Sequence, residues 1–151
     1  MTRFLVAAMS LTLLACRFEP DGSGQRSGGG GGEVCVTSVT CGDFASSAER
    51  SNALYTAGAG ALPRELTPPS EASLCGSLES IGTTVYYVTS LDADAIAAHY
   101  RSRLVDAGYV WTQRTNGCQP SFAFEKPGSH GRLDQWALAG AYSVHYGIPE
   151  E

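Results

Sequence analysis

Hydrophobic and polar positions change their period along this chain, and each change marks an element. Between Ala93 and Ala107, the residues Ala93, Ile96, Ala97, Tyr100, Leu104 and Ala107 recur at helical spacing. Asp94, His99, Arg101, Ser102 and Asp106 fall on the opposite side of that helix. Asp92 suits its N-cap, with Leu91 and Ile96 placed as a hydrophobic staple. Asp94 near the start and Arg101 and Arg103 near the end complement the helix dipole, and Gly108 supplies a left-handed stop.

Around this helix the period drops to two. Ala72–Glu79 and Thr83–Thr89 (TTVYYVT) read as strands joined by a turn at 80–82, the second rich in β-branched and aromatic residues. After the helix, Tyr109–Thr115 reads as a strand and Asn116-Gly117 as a turn signal. Ser121–Lys126 alternates with Phe122 and Phe124 on one side, and 127–131 reads as a loop. Leu133–Ala139 and Tyr142–Ile148 form a last hairpin around Gly140, with Tyr142, Val144 and Tyr146 on one face. The order β-β-α-β-β-β-β predicts an α+β fold, a mostly antiparallel sheet with one amphipathic helix packed on one face.

The stretch 42–72 is less regular. Asp43 is placed to cap a short helix through Phe44 and Ala48 toward Leu54-Tyr55, ended by Gly58, Gly60 and Pro63. The segment 62–70, with Pro63, Pro68 and Pro69, reads as extended or polyproline backbone.

The N-terminus follows a different logic. Arg3 precedes an apolar run from Phe4 to Leu14 that suits a signal peptide and is too short to span a bilayer. It ends in Leu13-Leu14-Ala15-Cys16, which resembles the lipobox of bacterial lipoproteins, although a small residue is commoner where Leu14 stands. The resemblance implies diacylglyceryl transfer to the Cys16 sulfur, cleavage after Ala15, and often acylation, for example by palmitate, of the new amino group. Two or more chains anchor stably, since each buried methylene contributes about 0.8 kcal/mol. In that family an Asp after the Cys favours inner-membrane retention; Arg17 stands there instead, which implies the outer membrane. The folded part, with Tyr86-Tyr87-Val88, His99-Tyr100 and Gly108-Tyr109-Val110-Trp111, resembles small lipoprotein domains of unknown function.

Three regions follow: a signal peptide at 1–15, the lipidated Cys16 with a Gly-rich flexible linker to residue 33, and a single α+β domain at 34–151. The linker contains consecutive glycines from Gly28 to Gly32, and a chain of its length has an end-to-end distance of roughly 23 Å.

Composition narrows the classes. The chain has 151 residues, 43% of them hydrophobic and 17% charged, which supports a packed core outside the linker. Its net charge of −5 opposes nucleic-acid binding. There are five cysteines, at 16, 35, 41, 75 and 118. With Cys16 acylated, Cys35, Cys41, Cys75 and Cys118 remain for two disulfides in an oxidising compartment. Three pairings are open; the short 35–41 loop favours Cys35–Cys41 with Cys75–Cys118.

No catalytic, cofactor or metal site emerges. The cysteines form no C-x-x-C pair, and no His lies at ligand spacing from them. The three histidines, His99, His130 and His145, read as solvated. Ser129 and His130 adjoin in a loop without an acid to orient the ring. Asp92 and Asp94 lie about 200° apart on the helix and form no carboxylate pair. Aromatic strand residues remain, and Tyr86, Trp111 and Trp136 are the candidate interaction surface. The expectation is a membrane-anchored exported lipoprotein in the cell envelope, its domain in the periplasm or at the cell surface. It would act as a non-catalytic interaction module, bound to the bilayer through Cys16 and to an unidentified envelope protein or glycan. The alternative is a small envelope hydrolase or a sugar-binding protein using the open aromatic sheet face.

Overall fold

The computed structural model describes residues 35–51, 53–59, 62–80, 82–115 and 117–147. The signal peptide, Cys16 and the glycine linker lie outside the described residues. The elements are α1 (Cys41–Arg50), β1 (Tyr55–Thr56), β2 (Ala72–Glu79), β3 (Thr83–Thr89), α2 (Ala93–Asp106), β4 (Val110–Thr115), β5 (Ser121–Lys126), β6 (Ser129–Trp136) and β7 (Ala141–Tyr146). Single 3-10 turns occupy Arg64–Leu66 and Ala137–Ala139.

The strands form one sheet in the order β1-β2-β3-β7-β6-β5-β4, every neighbouring pair antiparallel. This is the α+β arrangement that the alternation of period predicts. The chain makes the β2–β3 hairpin, crosses the sheet through α2 to the far edge, and returns as the meander β4–β7. The return places β7 against β3 and so joins the two halves.

Helix α2 behaves as its sequence dictates. The Asp92 carboxylate accepts a hydrogen bond from the Ala95 backbone N–H at 2.8 Å, satisfying one of the free donors at the helix start. Ile96, Tyr100 and Leu104 are buried against Val85, Tyr87, Phe122, Phe124, Leu133, Tyr142 and Val144 from the sheet. Tyr87 stacks on Tyr142 with centroids 5.0 Å apart, and the Tyr100 and Tyr142 hydroxyls meet at 3.2 Å inside this core. Burial pushes both phenols well above the ordinary tyrosine range, Tyr100 further than Tyr142. Both rings therefore stay neutral.

The Pro-rich segment is more than an extended linker. Its 3-10 turn drops Leu66 into the main core with no exposure. The strap is tied to α2 and the sheet by polar contacts. Arg103 donates to the Arg64 and Glu65 carbonyls, His99 Nε2 lies 2.9 Å from the Thr67 carbonyl, and Tyr109 donates to Glu65. His99 thus sits under the strap, not free in solvent.

The opposite face of the sheet is also covered, but only in part. Helix α1 begins three positions earlier than the capping of Asp43 implied. Thr40 is the N-cap, and the Asp43 carboxylate, three residues on, accepts from the Thr40 backbone N–H and hydroxyl. Those bonds hold the Asp43 carboxyl below its ordinary range. Phe44 of α1 stacks on Tyr86 at 4.6 Å and tilts against Trp136 at 5.5 Å. With Val39 and Ala141 it forms a second, smaller core.

Two disulfides fasten this layer, Cys35–Cys118 and Cys41–Cys75. This corrects the favoured pairing of Cys35 with Cys41. Cys118 lies in the β4–β5 loop, whereas Cys75 lies on β2, at the other side of the sheet. The chain from Cys35 to Cys41 bridges that span, so its ends are held apart. Closing such long loops contributes about 4 kcal/mol each in the chain-entropy view.

Three boundaries also move. β6 starts at Ser129, so the predicted 127–131 loop shrinks to the tight turn at Pro127-Gly128. Residues 137–139 leave the strand as a 3-10 turn closed by left-handed Gly140 (φ 61°), where a Cβ would stand 2.6 Å from the Thr89 carbonyl. β7 runs Ala141–Tyr146, and Ile148 lies outside the described residues. Among the described residues no helix is long and apolar enough to cross a membrane.

Candidate functional site

Alternation along β6 and β7 builds the site. Leu133, Gln135, Tyr142 and Val144 point into the core under α2, so Arg132, Asp134, Ser143 and His145 point to the α1 face. Register then aligns them in rows across four strands. Tyr86, Ser143, Asp134 and Ser121 form one row, and Thr84, His145, Arg132 and Ala123 the next. The adjoining row, Val88, Ala141 and Trp136, is the apolar one that carries α1. Where α1 stops, the polar rows remain open as a pocket of about 370 Å³, lined by Tyr86, Ser121, Arg132, Asp134, Trp136 and His145, among others.

Asp134 is the centre of this pocket. Ser121 donates to its Oδ1 at 2.6 Å, and Arg132 Nε to its Oδ2 at 2.7 Å. His145 Nε2 lies 3.0 Å from the same Oδ2. Burial opposes the charge, but the hydrogen bond and charge of His145, the Ser121 bond and the nearby Arg132 charge outweigh it and hold the carboxyl at about 2. An ionised carboxylate only accepts, so Nε2 carries the proton toward Asp134. In the neutral ring Nδ1 then accepts from the Thr84 hydroxyl at 2.9 Å. Ser143 Oγ also lies 3.0 Å from Nε2.

His145 is therefore engaged on both sides, with its side chain only 14% exposed, which corrects its reading as a solvated histidine. His130 is also part of a strand, paired across to Glu125, and its Nε2 is buried without a hydrogen-bond partner. The adjacent Ser129 faces another group, its hydroxyl 2.8 Å from the Tyr109 hydroxyl and donating to Tyr146 at 2.9 Å. The Ser129-His130 neighbours thus serve separate environments.

The aromatic candidates divide between the two faces. Tyr86 and Trp136 flank the pocket and support Phe44. Trp111 lies on the α2 face, half-buried and stacked on Phe122 at 4.9 Å. The structure brings the first two together and leaves the third apart. Burial, with smaller contributions from Tyr55 and Asp134, pushes the Tyr86 phenol up to about 12, so it remains a neutral hydroxyl.

Among the described residues, no group of three or more His, Cys, Asp or Glu side chains is placed to hold a metal ion. Sequence reading missed Arg132, Asp134 and His145 as a unit. A signal was present in β7, where Ser143 and His145 alternate with Tyr142, Val144 and Tyr146, but in β6 Leu133 alone separates Arg132 from Asp134, and neither pattern carries information on register. Compared with protein-family models, with curated proteins and with solved structures, the chain has no match.

Proposed function

We propose that this chain is an exported lipoprotein, acylated at Cys16 and held at the outer membrane by that lipid, with its folded domain on a glycine tether. The observation that carries the reading is the cysteine arithmetic. Of five cysteines, four are joined in disulfides, and the remaining one is the lipobox-like Cys16. Disulfides persist in oxidising compartments, which supports export. The domain acts there as a non-catalytic interaction module, and the pocket beside α1 is where it meets an envelope protein or glycan.

Replacement of Cys16 by Ala tests the anchoring. Radiolabelled palmitate should label the native chain in cells and not the variant, and the variant should move to the soluble fraction. Equal labelling of both would overturn acylation at Cys16.

A small hydrolase is the second reading, favoured by the approach of His145 to Asp134 and Ser143. The arrangement differs from an acyl-transfer triad in one respect. There the carboxylate and the nucleophilic hydroxyl bind opposite ring nitrogens. Here Asp134 and Ser143 both address Nε2, and Ser143 is fully buried. Thr84, on the opposite nitrogen, is also buried. Among the described residues, the two hydroxyls that meet the ring are thus both buried, which supports binding over catalysis.

A further inference from the structure

The pocket presents an unequal set of hydrogen-bonding groups. Asp134 is its carboxylate, and both oxygens are already engaged by Ser121, Arg132 and His145. His145 is engaged at both nitrogens. The oxygens of Asp134 and the ring nitrogens of His145 thus each already have a partner within the protein. The Arg132 guanidinium is only partly engaged. Its Nε is committed to Asp134, while its two terminal amino groups have no protein partner among the described residues. Its side chain is 53% exposed at the pocket wall.

A guanidinium has two flat edges that match a carboxylate, one through Nε and one through the paired terminal nitrogens. Asp134 accepts one bond at the first, from Nε. The second remains unfilled. Because Asp134 already balances the charge of Arg132, the site suits a singly charged group better than a multiply charged phosphate. Tyr86 and Trp136 supply aromatic wall beside it, and about 370 Å³ accommodates a ligand of one small ring or sugar.

We infer that the pocket is a binding site for a small carboxylate on a ring with a flat apolar face, the carboxylate held by the terminal edge of Arg132 and the ring lying against Tyr86 and Trp136. Acidic sugars and aromatic acids share this chemistry. The inference rests on the proposed role of the pocket as the interaction site, and it is independent of acylation at Cys16.

Isothermal titration of the full chain in detergent tests it, with glucuronate and benzoate as probes and glucuronamide, benzamide and glucose as uncharged counterparts. At least one acid should bind saturably and at least tenfold more tightly than its amide; which acid does so distinguishes a sugar from an aromatic source. Arg132→Ala should abolish that binding. Arg132→Lys, which keeps the charge but lacks the planar edge, should weaken it at least tenfold. Arg101→Ala, on the exposed side of α2, should leave it unchanged. If Arg132→Ala fails to fold by circular dichroism, the Lys variant and the Arg132 Nε resonance in an NMR titration decide. Equal binding of acid and amide, or of glucose and glucuronate, overturns the carboxylate proposal while leaving the pocket as a binding site. No saturable binding by any probe overturns both, and the palmitate experiment still stands on its own.

Discussion

Asp134 and His145 meet at 3.0 Å although they are not register partners, since Asp134 faces Ser143 and His145 faces Arg132 across the same two strands. The contact is diagonal and closes a polar circuit over two rows of the sheet. Together with the bond from Ser121 and the charge of Arg132, it sets a pH dependence. The folded Asp134 carboxyl lies at about 2, below its ordinary 3.8. A lowered carboxyl contributes its full stability above the unfolded value, and that contribution fades as pH falls from about 4 through about 2.

Asp134→Asn should therefore cost about 2 kcal/mol in urea melts at pH 7, because a tenfold change in acidity between the unfolded and folded chain corresponds to about 1.4 kcal/mol. The gap between native and variant chains should narrow as the pH is lowered and nearly close at about pH 2. A gap that stayed constant over that whole range would assign the loss to packing instead of charge.

The disulfides give a prediction of connectivity. Peptide mapping without reductant should recover Cys35 linked to Cys118 and Cys41 linked to Cys75. Replacing Cys41 and Cys75 together by Ser should lower stability by about 3–4 kcal/mol. Recovery of a Cys35–Cys41 peptide would mean that α1 does not lie across the sheet.

What was legible in the sequence depended on the range of the physics involved. Ile96, Tyr100 and Leu104 declare themselves because a helix writes its buried face into neighbouring turns. The β-branched and aromatic run of β3 and the alternation of β5 are equally local. Leu66 was hidden, because a single apolar residue among prolines has no period to betray its burial. The disulfide pairing was hidden for another reason, since it depends on where α1 rests. The pocket needs the most: Arg132, Asp134, Ser143 and His145 become one site only once β6 and β7 are in register, and register is a property of two strands.

The missed and the legible core residues should respond alike. Leu66→Ala and Leu104→Ala each remove a side chain with no exposure, so each should cost about 2–5 kcal/mol. Chemical denaturation of both variants measures this. A near-zero loss for Leu66→Ala would show that the strap is not seated in the core.

Phe44 tests the smaller core. It is 2% exposed and touches Tyr86 and Trp136, the aromatic wall of the pocket. Phe44→Ala should destabilise by about 3–5 kcal/mol if α1 is packed to native density. It should also change the emission of Trp136 on the folded chain, while leaving Trp111, stacked on Phe122 on the other face, as it is. A Trp136→Phe background identifies which indole responds. A change in emission that survives in that background would place the perturbation on the α2 face and contradict the packing of Phe44.

Gly131 couples the core to the pocket. It lies opposite Phe124 on β5 and Tyr146 on β7. A Cβ there would collide with the His145 carbonyl on one side and the Phe124 ring on the other. The ring lies across the space that a side chain would need, and the carbonyl belongs to the strand that carries the pocket histidine. Neither can yield alone, because Phe124 is buried at 1% exposure and the His145 backbone is part of the sheet. Gly131→Ala should therefore exceed the about 1–3 kcal/mol typical of an added methyl in a packed core. It should also displace His145 relative to Asp134. The His145 imidazole resonances report this directly, and a variant with native resonances and native stability would mean that β6 and β7 are further apart than the structure places them.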